Sequence, residues 1–122
     1  MSKSAFIIFG LSVLISLPAF AMGTGYSAVI EDLPLMSGMV EKADDAIVFD
    51  KPGGRIIETN IETPASPSEI EKFYAEALPS LGWKDLSPEG FIREDETLNI
   101  SIEQKGRIAL VHFSLTPTSE GR

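Results

Sequence analysis

The chain has 122 residues, a formal charge of −8 and no cysteine, with 18 Asp and Glu against 10 Lys and Arg. That balance argues against nucleic acid and anionic membrane surfaces as partners, because affinity for either rests on basic patches and none is visible. Without cysteine there is no disulfide and no thiolate for a metal, so a hydrophobic core alone must hold the fold.

Lys3 is followed by an apolar run over residues 5–17, broken only by Gly10, Ser12 and Ser16. This is the n-region and h-region of a secretory signal peptide, and Pro18 before Ala19-Phe20-Ala21 supplies the small-x-small pattern that predicts cleavage after Ala21. A run of about 13 apolar residues is short of the ~20 that a bilayer-spanning helix needs. Residues 1–21 are therefore expected to be a cleavable leader. The exported product has no cysteine to carry a lipid and no stable membrane anchor after cleavage, and it is expected in the periplasm or secreted. Loss of Lys3 makes it one unit more acidic.

Residues 22–32 contain Gly23 and Gly25 and no apolar period, and read as a flexible N-terminal arm. A single domain is expected over 33–117, with a frayed tail at 118–122. Leu33-Pro34-Leu35-Met36-Ser37-Gly38 reads as an extended segment that tucks its leucines under a sheet. Residues 46–49 and 55–63 flank Lys51-Pro52-Gly53-Gly54 and form a hairpin, with a loop of three, four or five residues and hence an open register. Asp50 and Arg55 flank this turn and are placed to pair across it.

Ser66-Pro67-Ser68-Glu69 combines a capping serine, a proline at the first helical position and a glutamate three residues after the cap. Ile70, Phe73, Tyr74, Ala77, Leu78 and Leu81 then recur at spacings of three and four, which predicts a helix with one face on a sheet. Glu69, Glu71, Lys72 and Glu76 take the other side. Pro79 ends the regular helix near Leu78, followed by a tighter turn to Leu81 and a left-handed stop at Gly82. Trp83 is expected to fold back over the helix end.

A short strand at 90–93 turns at Asp95-Glu96 into a run where Leu98, Ile100 and Ile102 alternate with Thr97, Asn99, Ser101 and Glu103. A two-residue Lys105-Gly106 turn sets Ile102 opposite Ala109, Ile100 opposite Val111 and Leu98 opposite Phe113. The same register places His112 beside Asn99 on the polar face. The order strand-strand-helix-strand-strand-strand predicts an α+β domain, an antiparallel β-sheet with one principal α-helix packed on one face.

Nucleophilic catalysis needs a nucleophile, a base and a group that orients the base. The only histidine, His112, falls mid-strand and reads as structural. Asp44-Asp45 and Glu94-Asp95-Glu96 lack the ligand spacing of a calcium loop and read as solvated turn charges. Lys51-Pro52-Gly53-Gly54-Arg55 is a hairpin turn without the strand-to-helix setting of a phosphate-binding loop. Phe73, Tyr74, Leu78, Leu81 and Trp83 have the spacing of a core face rather than of a ligand box. No catalytic, cofactor-binding or metal-binding residue is assigned.

With these residues in view, the chain resembles a group of short exported proteins of alphaproteobacteria. The resemblance spans about residues 33–115. It is carried by Leu33-Pro34-Leu35-Met36 with Gly38, by Phe49-Asp50-Lys51-Pro52-Gly53-Gly54-Arg55-Ile56, and by Phe73-Tyr74 followed by Leu78-Pro79-x-Leu81-Gly82-Trp83. Phe91-x-Arg93-Glu94 with Leu98 and Ile100 completes it. More loosely, the phenylalanine-tyrosine helix ending in glycine-tryptophan is similar to small domains of bacterial lipoproteins and secreted proteins, from which this chain departs by lacking the lipid-bearing cysteine. The resemblance implies export and an α+β fold, and no substrate, cofactor or catalytic residue. The functional expectation is a non-enzymatic binding or accessory module of the cell envelope, whose partner is a protein or another envelope component. An inhibitor of a basic enzyme and a small carboxylate-dependent hydrolase are the alternatives.

Overall fold

The computed structural model describes residues 25–118. The leader with its cleavage after Ala21, the start of the arm at 22–24 and the tail from 119 onward lie outside the described residues. The expected α+β class is observed: among the described residues one α-helix lies on one face of a seven-stranded, antiparallel sheet.

Before the helix come β1 (Gly25–Tyr26), β2 (Pro34–Leu35), β3 (Val40–Glu41), a 3-10 turn at Ala43–Asp45, β4 (Ile47–Lys51) and β5 (Gly54–Thr63). After α1 (Pro67–Ser80) come β6 (Lys84–Asp85), β7 (Phe91–Arg93), β8 (Glu96–Lys105) and β9 (Ile108–Pro117). The main sheet runs β3-β5-β9-β8-β7-β6, and β4 shares the outer edge of β5 with β3. β1 and β2 pair separately as a two-stranded ribbon. The short strands β1, β2, β3 and β6 were not anticipated, because two-residue bridges leave no alternation to read.

The helix begins as its sequence dictates. Ser66 accepts from the Glu69 amide while the Glu69 carboxylate accepts from the Ser66 amide, closing a capping box with Pro67 at the first turn. The helix continues to Ser80, two residues past the expected end near Leu78, because a proline here forgoes one backbone bond without forcing the chain out of helical geometry. The tighter turn follows as expected. Leu81 N–H donates to Leu78 C=O, Trp83 N–H donates back to Leu78 C=O at 3.1 Å, and Gly82 takes φ +96°.

The buried sheet face carries Ile57, Thr59, Ile61 and Thr63 from β5, Ala109, Val111, Phe113 and Leu115 from β9, and Leu98 from β8. Ile70, Tyr74 and Leu78 of α1 cover it, with Trp83 closing one end. The Tyr74 ring meets Phe73 and Phe113 edge-on, at centroid distances of 4.8 and 5.3 Å. The two buried threonines are satisfied: Thr59 donates to Glu41, and Thr63 accepts from the Ala65 amide.

Residues 25–32 correct the expectation of a flexible arm. Ile30 is 2 % exposed and sits in the core beside Leu33 and Leu35. The segment is fastened by Glu41, whose carboxylate accepts from the Ser27 hydroxyl at 2.6 Å, the Ala28 amide at 2.7 Å and the Thr59 hydroxyl at 2.9 Å. Ser27 in turn accepts from the Val29 and Ile30 amides. Tyr74 donates its phenolic proton to the Pro34 carbonyl at 2.6 Å, tying the same segment to the helix. The leucines of the extended segment are tucked under the sheet as expected.

Burial, and secondarily the Glu41 charge, push the Tyr74 phenol well above the usual tyrosine range. The fold therefore opposes its ionisation. Below the ordinary tyrosine pKa of about 10 both folded and unfolded chains keep the proton, and this group adds no pH dependence. Above it the unfolded chain releases the proton and the folded chain does not, so stability falls as pH rises. Denaturant melts of wild type and Tyr74→Phe at pH 8 and 11 check this: the variant is expected to start about 0.5–1.5 kcal/mol lower for the lost hydrogen bond and to lose less on going alkaline.

The hairpins depart from expectation in loop length or register, and the β4–β5 register left open by the sequence is fixed. The β4–β5 loop is two residues, Pro52-Gly53, with Lys51 opposite Gly54 and Asp50 opposite Arg55; no ion pair links Asp50 and Arg55 among the described residues. In β8–β9 the loop is Gly106-Arg107, so Ile102 faces Val111, Ile100 faces Phe113 and Leu98 faces Leu115. A Lys105-Gly106 loop of the type common in hairpins needs positive φ at the lysine, whereas the observed loop puts positive φ only at Gly106, at +65°. The slip is two residues, so every side chain keeps its predicted face. Likewise β7–β8 turns at Glu94-Asp95, with Arg93 opposite Glu96.

Candidate functional site

The polar candidates are dispersed. His112 lies on the uncovered sheet face opposite Ser101 rather than Asn99, a consequence of the two-residue slip. Its Nδ1 lies 2.8 Å from Asn60 Oδ1 and its Nε2 lies 3.6 Å from Glu58 Oε1. Both ring nitrogens thus face side chains of β5, and no hydroxyl is hydrogen-bonded to the ring among the described residues. The arrangement ties β5 to β9 and lacks the nucleophile-to-base contact that acyl or phosphoryl transfer requires.

Asp44 and Asp45 lie in the exposed 3-10 turn, and Glu94-Asp95 form the exposed tip of the β7–β8 hairpin. No group of three His, Cys, Asp or Glu converges on a metal-sized space among the described residues. Lys51 to Arg55 form a hairpin turn. Phe73, Tyr74, Leu78, Leu81 and Trp83 pack with the core. Trp83 also carries Arg93, whose guanidinium carbon sits 4.5 Å above the indole while Nη1 donates to the Leu81 carbonyl and Nη2 lies 3.9 Å from Asp32. These polar partners close the helix end and fasten residue 32.

A site emerges instead where α1 meets β8. A cleft of about 410 Å³ has Ile70, Tyr74, Phe91, Ile100 and Ile102 on its walls and floor, and Glu71, Asp85 and Ser87 among its polar lining. On β8 the helix covers Leu98 fully but leaves Ile100 and Ile102 half-buried. β7 pairs only with residues 96–98, so beyond Leu98 the outer edge of β8 has no strand beside it among the described residues.

Hydrogen-bond parity sharpens the geometry. The residues flanking a two-residue loop can be linked only by their own pair of bonds, so Lys105 bonds Ile108, and by alternation 103, 101, 99 and 97 also point their main chain at β9. Ile100 and Ile102 therefore aim their N–H and C=O groups outward at the free edge, while their side chains form the cleft floor. Asp85 accepts from the Ser87 amide at 3.0 Å and hydroxyl at 2.6 Å. Those bonds hold the Asp85 carboxyl below the usual aspartate range.

The alternation of β8 marked Ile100 and Ile102 as apolar-face residues, but nothing in it shows how far across the sheet the helix reaches. Comparison with protein-family models, curated proteins and solved structures finds no match to the chain in any of the three.

Proposed function

We propose that the chain is the precursor of a non-enzymatic module, exported by its N-terminal leader to the periplasm or beyond, that binds an extended segment of a partner protein of the cell envelope. The observation that supports this best is the coincidence at Ile100 and Ile102 of unpaired edge main chain with side chains flooring an apolar cleft. Strand addition uses that combination: main-chain bonds supply affinity, and a pocket reading alternate side chains supplies specificity. The segment that fits has apolar residues at every second position and a basic residue beside them, to meet Glu71 and Asp85 at the rim. Kinship with the short exported proteins of alphaproteobacteria is part of the same reading, carried by the residues shared with them.

An inhibitor that docks a basic enzyme is the second reading, favoured by the exposed acidic turns at Asp44-Asp45 and Glu94-Asp95. The two separate by salt: charge-steered docking slows steeply as ionic strength rises, while strand addition into an apolar cleft depends on it weakly. The reading as a binding module is tested by assaying the purified protein on peptidoglycan, ester and phosphate substrates. No turnover is expected, and turnover abolished by substituting Glu58 or His112 would overturn it.

A further inference from the structure

We infer that two copies of this chain associate through strand β4, joining their sheets edge to edge about a two-fold axis at Val48. The observation is an unprotected edge. Among the described residues β4 pairs with β5 on one side only, and Ile47, Val48 and Phe49 are each about half exposed, at 49, 55 and 50 %. Natural edges are blunted by brevity, proline, bulges or inward-facing charge, and β4 carries none of these over its apolar stretch. The opposite edge of the sheet, β6, is two residues long.

Main-chain parity then selects the pairing. Lys51 and Gly54 flank a two-residue loop and must share their own two bonds, so Lys51, Phe49 and Ile47 spend their main-chain groups on β5. Val48 and Asp50 point theirs outward, as does the Ala46 carbonyl; the Ala46 amide is already bonded to Ala43. An antiparallel second copy centred on Val48 satisfies these groups. Val48 N–H meets the Val48 carbonyl of the second copy in both directions, and Asp50 N–H meets its Ala46 carbonyl.

Side chains agree with this register and not with its neighbours. It sets Ile47 against Phe49 of the second copy and brings Lys51 to the Asp44-Asp45 turn. Moving the axis to Phe49 puts Lys51 against Ile47, moving it to Ile47 puts Asp45 against Phe49, and moving it to Asp50 faces two aspartates. The edge carries Asp44 and Asp45 before its start and Lys51, next to Asp50, at its end, so an antiparallel copy sets each Lys51 against the acidic turn of the other. The inference is independent of the reading of the β8 cleft, and it leaves both clefts free on the far sides of the joined sheet.

The test uses protein produced from the full-length gene, examined by sedimentation velocity near 0.15 M salt, where the repulsion of two acidic copies is screened over about 8 Å. A concentration-dependent dimer is expected. Val48→Pro removes only an outward N–H and is expected to sediment as a monomer with an unchanged far-UV spectrum. Lys51→Asp is expected to be monomeric as well, and adding Asp45→Lys to restore the dimer. Because the chain has no cysteine, Val48→Cys places a unique thiol on the axis. In a hydrogen-bonded pair the Cα atoms lie about 5.5 Å apart, within disulfide range, so it is expected to cross-link faster than Ile47→Cys. A wild-type monomer at all concentrations, or a dimer that survives Val48→Pro, overturns the inference.

Discussion

Ile30→Ala is expected to lower stability by about 2–5 kcal/mol, the cost of truncating a fully buried aliphatic side chain. Ile30 is 2 % exposed and packs in the same cluster as Leu33, Leu35 and the helix face. Its segment is held by the Ser27 and Ala28 bonds to Glu41, so the chain around the cavity cannot simply collapse into it. A denaturant melt with an unchanged slope and a lower midpoint is the expected signature. A segment that frayed in solution would leave the midpoint where it was. Glu41→Gln, which keeps the shape of the fastening side chain while removing its charge, is expected to act in the same direction by a smaller amount.

Trp83→Ala is the second large effect, expected at about 3–5 kcal/mol. Trp83 is 4 % exposed, its amide completes the helix stop on Leu78, and its ring is the platform for Arg93. Truncation leaves a cavity at the core margin. It also strips the support from a guanidinium that bonds Leu81 and reaches toward Asp32, so the helix end and the N-terminal segment loosen together. Trp83→Phe keeps an aromatic platform and is expected to cost less. Trp83 is the only tryptophan, so the variants are followed by far-UV circular dichroism rather than by fluorescence. An alanine variant that melts with the parent contradicts the placement.

The parts of this fold that were legible in the sequence are those with a local physical code. Ser66, Pro67 and Glu69 specify a helix start through bonds made within four residues. Leu98, Ile100 and Ile102 specify a face through a period of two. The parts that were not legible depend on distant partners. Residues 25–32 have no period, and what orders them is a carboxylate at position 41 and a core that chain order does not reveal. The β8–β9 register is ambiguous in the sequence because alternatives two residues apart preserve every face, and only the demand for positive φ at Gly106 rather than at Lys105 separates them.

The candidate site was hidden for a related reason. The apolar floor and the short β7 were each readable alone, whereas the Asp85 rim sits on a two-residue strand that leaves no local signal. Their meeting depends on where α1 crosses the sheet and on β7 stopping at Leu98, and neither leaves a mark in local sequence. His112 drew notice as the sole imidazole, yet its neighbours Asn60 and Glu58 occupy it in holding two strands together.

The measurement that tests the central claim most directly is photo-crosslinking in the native cell envelope from a probe at Ala75, on the exposed wall of the cleft, beside a control probe at Ser101 on the opposite face of β8. A binding module that works through the cleft is expected to give one abundant adduct from position 75 and none from 101. No adduct from either position at native expression, or the same adduct from both, contradicts the assignment of the cleft.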